Sequence, residues 1–310
     1  MQPTVYSLES ILVDVAIDVP ALPERGGDVL ATGSRTTAGG GFNLASAVAR
    51  QGVRCVYAAP HGTGRYGDVI RAALAAEGVV TTTAPRPDGD SGFSLVLLEP
   101  DGERTFVTMA GVEAALTADD LTAVAPSPGD AVMVSGYDLL YPGSGPVLTP
   151  WLSRMADGVL VALDPGPLVR DVPRDRLVPV LERLDLLTLN QREARLLSGS
   201  GGAGRDLVAA VRGLARRALV VVREGAQGCV ASGGPLGERV VAVPAPAVRA
   251  VDTTGAGDAH TGVLLAGLLA GSEVEAALLD AVRAAAVAVQ RVGSATCPSR
   301  EEWTAAYPEG

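Results

Sequence analysis

The stretch DTTGAGDAHTGVLLAGLL, Asp252 to Leu269, decides how the chain is read. Small and hydroxylated residues give way at Asp258 to an apolar, helix-like run. Glycines at a helix start let a ligand approach bare backbone N–H groups, and the helix macrodipole favours negative charge there. Gly255, Ala256 and Gly257 therefore read as a cradle for a phosphate or another oxyanion. Asp258 falls in the first turn of the same helix, where an acid often serves only as a cap. A cap, however, does not require the flanking glycines. A carboxylate ionised beside an anion site is able to take a proton from an attacking hydroxyl, while nearby amides stabilise charge on the group being transferred.

Composition limits what surrounds this stretch. The 310 residues are 47% hydrophobic, ample for a large core in one domain with a small appendage. No run of about eighteen apolar residues is free of charge or glycine breaks, so no membrane helix and no membrane partner are expected. The start, MQPTVYSLES, lacks a basic region followed by an apolar one, and Cys55, Cys229 and Cys297 are scattered; both features point to a cytoplasmic protein with buried thiols. A net charge of −10, spread without runs, disfavours nucleic acid. All 25 cationic side chains are arginines. Without lysine, a Walker A loop, a protein-kinase strand lysine and a lysine Schiff base are excluded. Phosphate must then be handled by backbone amides, metal ions and arginine.

Upstream, strands and helices alternate. SILVDVAIDV reads as the first strand, with Asp14 on the face shared by Leu12 and Ala16. Further strands are VRCVYAAP, DAVMVSG, GVLVALD, LDLLTLN and RALVVVREG, and GCVASG with RVVAVPA suggests an antiparallel pair. NLASAVARQG, YGDVIRAALAAEGV, LTPWLSRMA, RDRLVPVLERL, QREARLLSG and GRDLVAAVRGLA read as helices. Two Ala-rich helices follow, from about Thr254 and about Glu273. GFSLVLLEPDGERTFVTMA is two β-rich runs around Pro-Asp-Gly-Glu, a hairpin signal. The sum is an α/β fold, a mostly parallel sheet between helices, with a small β-strand lid from parts of 14–37 and 92–109. Ligands bind such sheets beyond the carboxyl ends of the strands.

Three motifs in order resemble one family. DTTGAGD is similar to the C-terminal signature of the PfkB/ribokinase carbohydrate kinases. AGGGFNLASAVARQG, with Gly39, Gly40 and Asn43, resembles their N-terminal signature, and NQREARLL resembles their Asn-x-x-Glu motif. The resemblance covers nearly the whole chain and implies a single ribokinase-like domain over 1–310. It implies an ATP-dependent kinase that phosphorylates a primary hydroxyl of a small sugar or sugar derivative. Asp258 matches the catalytic base, and Gly255, Ala256 and Gly257 match the anion hole. Asp14, nine residues before Pro23, matches a substrate-binding aspartate, alongside Gly39, Gly40 and Asn43. Asn190 and Glu193 match groups that organise Mg2+ and phosphate through water. Arg223, Gly225 and Gly228 in VVREGAQGC match the segment beside ATP. Asp252 and Thr254 match positions whose carbonyls bind a monovalent cation, K+, in many members.

The same residues carry chemistry by themselves. A carboxylate at Asp14 in an apolar strand needs donors, and sugar hydroxyls supply them, although local backbone would also serve. Asn43 offers a donor and an acceptor, or caps a helix. Glu193 could be a solvated helix residue and Arg223 a surface charge. GTGRYG, Gly62 to Gly67, fits the dinucleotide pattern G-x-G-x-x-G, but the unit is not at the first strand and no strand-end acid follows about twenty residues on. A dinucleotide-dependent oxidoreductase and a non-catalytic sugar or nucleotide sensor are thus the rival classes. Within the kinase chemistry a nucleoside acceptor is the alternative, with Phe42, Phe93 and Tyr137 as aromatic candidates. His260 departs from the phenylalanine frequent at that place in the family. Apolar residues on both sets of the hairpin, among them Leu95, Leu97 and Phe106, suggest a homodimer through the lid.

Overall fold

The structure is a computed structural model and describes residues 2–100 and 103–308. Among the described residues, thirteen strands form two sheets. They are β1 (Thr4–Ser7), β2 (Ile11–Asp18), β3 (Gly33–Gly40), β4 (Arg54–Tyr57), β5 (Val80–Thr81), β6 (Phe93–Leu98) and β7 (Arg104–Met109), then β8 (Ala131–Ser135), β9 (Leu160–Asp164), β10 (Leu186–Asn190), β11 (Leu219–Arg223), β12 (Cys229–Gly233) and β13 (Val240–Val243). The helices are α1 (Gly41–Arg50), α2 (Arg65–Ala76), α3 (Ala118–Thr122), α4 (Gly136–Leu140), α5 (Gly145–Ser153) and α6 (Arg174–Arg183), then α7 (Gln191–Ser198), α8 (Gly204–Arg212), α9 (Ala256–Leu269), α10 (Val274–Ala288) and α11 (Arg300–Ala306).

The large sheet runs β13-β12-β11-β10-β9-β8-β1-β4-β5. It is parallel except where β12 pairs with β11 and β13. Its strands are apolar on both faces because helices cover both. In β11, Val221 faces one core with α1, α9 and α10, while Val220 and Val222 face the other, with α5 and α6. The small sheet runs β3-β2-β6-β7. The predicted hairpin pairs Phe93 with Met109 and Leu98 with Arg104, although Asp101 and Gly102 of its turn lie outside the described residues.

Two expectations need correction. The first strand is β1, not SILVDVAIDV; Val5 is fully buried between β4 and β8. SILVDVAIDV forms β2, the second strand, and belongs to the small sheet. The stretch from Gly33 through the first five residues of TTAGGGF also forms a strand, β3, which runs antiparallel to β2 from Ile11↔Gly40 to Asp18↔Gly33. All three thiols are free and buried as expected, and burial pushes each up to about 12.

Candidate active site

The carboxyl ends of the parallel strands gather the polar groups. Register sets Ser135 of β8 beside Asp164 of β9, and Asn190 of β10 beside Arg223 of β11. These ends meet the N-termini of α1 and α9 around a cavity of about 360 Å³. Asp14, Gly40, Asn43, Glu193, Arg223, Thr254, Gly255 and Asp258 line it, eight of the residues singled out above. The small sheet covers one side through Asp14, Ser94 and Thr108, which sit in one register row across β2, β6 and β7.

Asp258 rises from the first turn of α9. Asn43 Nδ2 donates to its Oδ2 at 3.0 Å, tying α1 to α9. Burial raises the Asp258 carboxyl to about 6, against the Asn43 hydrogen bond and the Arg223 charge, with Asp164 adding to the rise. Asp14 is likewise raised to about 6, by burial and then by the Asp258 charge. No side chain caps α9. Gly255 begins it at φ 72°, a left-handed conformation, and a Cβ there would lie 2.0 Å from the Ser294 carbonyl oxygen. The Ala256 N–H donates to Thr253 O at 3.3 Å, so the amides that follow it are the freer ones.

Arg223 is no surface charge. Its guanidinium pairs with Asp164 at 2.9 Å and lies 3.7 Å from Glu193. It donates to Thr188 Oγ1 at 2.6 Å and Thr261 Oγ1 at 3.1 Å. It also lies 3.3 Å from where a Gly257 Cβ would stand, directly beneath the mouth of α9. Glu193 is buried and closes a capping box with Asn190: each takes the other's backbone N–H, at 2.8 and 2.9 Å. Burial, then the Asp164 charge, raises the Glu193 carboxyl against the pull of Arg223.

Other predicted residues stand outside the cavity lining. Gly39 lies behind Asp14, where a Cβ would meet Asp14 Oδ2 at 2.1 Å. Gly225 and Gly228 bound the β11–β12 turn, and Gly228 packs against the Val243 carbonyl. The Asp252 carboxylate accepts from Arg104 of β7 at 2.5 Å, from Thr254 N at 2.8 Å and from Gly293 N at 3.1 Å. His260 is 4% exposed and has no hydrogen-bond partner among the described residues. Burial, then Arg223, lowers its imidazole to about 3, so it is neutral. Of the aromatic candidates only Tyr137 lines the cavity; Phe42 is in the core and Phe93 packs on Tyr66 at 5.2 Å.

The chain matches the family described as pfkB family carbohydrate kinase over residues 3–301. The chain belongs to that family. This pfkB-family kinase is 32% identical to an uncharacterized sugar kinase, YegV, of Escherichia coli, over 98% of this chain and 94% of the relative. It is 28% identical to a ribokinase of Bacillus subtilis, over 94% and 95% of the two chains. Among solved structures, a ribokinase of Arabidopsis thaliana complexed with ribose and ATP superposes with a TM-score of 0.82 at 24% identity over all of both chains. An adenosine kinase from Sinorhizobium meliloti superposes at 0.81, with 22% identity over 98% of each. At such identities these structures speak to the shared ribokinase-like fold.

Sequence reasoning missed several groups in this kinase's cavity. Asp164 ends β9 in LVALDPG, a strand-end acid before Pro-Gly that could have been weighed. Glu9, Ser94, Thr108 and Tyr141 give no such signal. Asp138 lies beneath: it accepts from Ser10 N and Oγ at 3.1 and 2.6 Å, and from Ser135 N and Oγ at 2.9 and 2.7 Å. It thereby fixes the β1–β2 connection to the end of β8.

Proposed function

We propose that this carbohydrate kinase transfers the γ-phosphoryl group of ATP to a primary hydroxyl of a small sugar or sugar derivative. The observation that carries the reading is Asp258, anchored by Asn43 at 3.0 Å on the first turn of an uncapped helix and lining the same cavity as Asp14. Asn43 engages Oδ2, which leaves Oδ1 to accept the hydroxyl proton. A carboxyl near 6 is ionised at neutral pH and close enough to it to act as a general base. The N–H groups at the start of α9, with Arg223 beneath, receive phosphoryl oxygens, and Asp14 holds acceptor hydroxyls.

Asp164 and Glu193 are the oxygen donors suited to Mg2+. Among the described residues no cluster of three protein ligands forms, which fits a cation held mainly by phosphate oxygens and water. Mg2+ neutralises phosphate charge when bound. The Asp252 carboxylate already accepts three hydrogen bonds, and K+ here would rest on the Asp252 and Thr254 carbonyls.

A nucleoside acceptor is the second reading, supported by Phe106, Tyr137 and Tyr141 in the lining. ADP release with Mg2+ across sugars and nucleosides, with the phosphorylated carbon located by phosphorus–proton NMR, tests both. Turnover on sugars at a primary hydroxyl is expected; turnover confined to nucleosides would replace the first reading with the second. The small sheet serves as a lid, and Phe106, Val107 and Met109, 54%, 60% and 62% exposed on its outer strand, support pairing of two lids in a dimer. Light scattering showing a monomer at micromolar concentration would remove the dimer.

A further inference from the structure

Five carboxyls line the cavity, those of Glu9, Asp14, Asp164, Glu193 and Asp258. Arg223 is the only cationic side chain among the lining residues, and it is spent on Asp164, Glu193, Thr188 and Thr261. The phosphate side of the reading above uses Asp164, Glu193 and Arg223. That leaves Glu9, Asp14 and Asp258 for the acceptor, with no other cationic side chain among the described lining residues.

Glu9 has no part in the mechanism so far. It sits on the β1–β2 connection, and the next residue, Ser10, is pinned by two hydrogen bonds to Asp138. The residue is 6% exposed, and its Oε2 is sealed from solvent without a hydrogen-bond partner among the described residues. Asn43 Oδ1, also on the cavity, is orphaned in the same way. Buried polar atoms without partners are uncommon in folded proteins. Both orphans are acceptor oxygens, and Asp14 is a third acceptor in the same lining. Ser94 and Thr108, hydrogen-bonded to one another at 3.0 Å, extend the row from Asp14. What such a wall lacks is donors. A polyol brings several O–H donors, whereas a carboxylate or phosphate brings none and is repelled by the carboxylates of Asp14 and Asp258.

We propose that the acceptor is an uncharged polyhydroxylated molecule, a neutral sugar or polyol rather than a sugar acid or sugar phosphate, and that Glu9 is one of its binding residues. The inference rests on the kinase reading and narrows its substrate class. Burial, then the charges of Asp258, Asp138 and Asp164, raises the Glu9 carboxyl well above the usual range. In its acid form Glu9 also supplies one O–H to a substrate oxygen, which Asp14 as a carboxylate does not.

The test is ADP release by the full chain with MgATP on matched pairs: neutral aldoses, ketoses and polyols against the aldonic and uronic acids of equal carbon number. Neutral members are expected to win by about a hundredfold or more in kcat/KM, from like-charge repulsion in a desolvated site. Comparable turnover of an acid overturns the inference and leaves phosphoryl transfer standing. No ADP release with either set overturns the inference and the sugar-kinase reading together. Glu9→Leu should raise the acceptor KM by about tenfold or more with the KM for ATP unchanged, from a lost buried hydrogen bond. Glu9→Gln, which keeps a donor and an acceptor, should stay within about threefold of the parent on the same grounds. An unmoved acceptor KM in Glu9→Leu, or a loss in Glu9→Gln equal to that in Glu9→Leu, removes Glu9 from the assignment.

Discussion

Of the helices that begin at glycine-rich turns, α2 and α9 have mouths that are filled differently. At α2, preceded by GTGRYG, Asp90 folds back over the turn and accepts from Tyr66 N at 3.0 Å, Gly67 N at 2.8 Å and Ser91 N at 2.8 Å. A side chain at Gly64 would meet that carboxylate at 2.4 Å. At α9 no side chain caps the start. Asp258 stands in the first turn, tied to Asn43 rather than to the amides of its own helix. The local chemistry that invites an anion is the same in both places. One mouth is satisfied from within the chain, and the other has no side-chain cap. A glycine-rich helix start therefore signals a binding site only when no carboxylate of the protein has reached it first.

Exchanging charges at the two mouths should have unlike consequences. The largest effect is expected for Asp258→Asn: a fall of about a hundred- to ten-thousand-fold in kcat, the usual worth of a general base. Circular dichroism and the nucleotide Kd should stay near the parent values, and near-normal turnover would take Asp258 out of its role. Asp90→Asn should leave kcat within about threefold, because a satisfied cap outside the cavity lining contributes to stability rather than turnover. Next in size is Gly255→Ala, where a left-handed φ and the Ser294 carbonyl both oppose a methyl group. It should raise the KM for ATP and lower stability by about 1–3 kcal/mol, read by nucleotide titration and urea unfolding. Unchanged binding would mean that the turn tolerates rearrangement.

Asp90→Ala strands the Tyr66 and Gly67 amides, and urea unfolding should show a loss of about 1–3 kcal/mol, with the KM for ATP unmoved. A weaker ATP affinity in this variant would tie the α2 mouth to nucleotide after all.

The smallest effect is a pH-dependent contrast in stability. Burial opposes ionisation of Asp90, but the amides of Tyr66, Gly67 and Ser91 outweigh it and lower its carboxyl. Asp90 thus contributes stability above the ordinary carboxylate range, lost as pH falls through its lowered value. Asp258 has the opposite sign: raised from 3.8 to about 6, its contribution is present below about 4 and lost as pH rises past about 6. Accordingly Asp258→Asn should melt at or above the parent Tm at pH 7.5 and lose that advantage at pH 4.5, while Asp90→Asn should melt lower at pH 7.5 and converge at acid pH. The kcat/KM of the parent should fall below about pH 6, where Asp14 and Asp258 take up protons.

The legible parts of the sequence were those where local pattern and tertiary role agree. β9 to β11 read as apolar runs because both faces are buried, and DTTGAGD, Asn43 and Asp14 stood out because glycine or charge interrupts an apolar context. β1 was missed because its four residues carry no period; its burial comes from β4 and β8, distant in sequence. β3 was missed because GSRTTAGG lacks apolar alternation, being largely exposed and held by pairing to β2. Glu9, Ser94 and Thr108 reach the cavity through register and a loop anchored by Asp138, none of which leaves a local trace. The return of Asp90 over the α2 mouth is a tertiary event and leaves no local trace.

The bridge from Arg104 to Asp252 joins the outermost strand of the small sheet to the segment that runs into α9. Its guanidinium and carboxylate are 21% and 9% exposed, so the pair is shielded from salt more than a surface contact would be. Any swing of β7 away from the cavity must first pull on this strut. If the small sheet is a lid and the start of α9 a phosphoryl cradle, as proposed, this one pair ties the movement of the first to the geometry of the second.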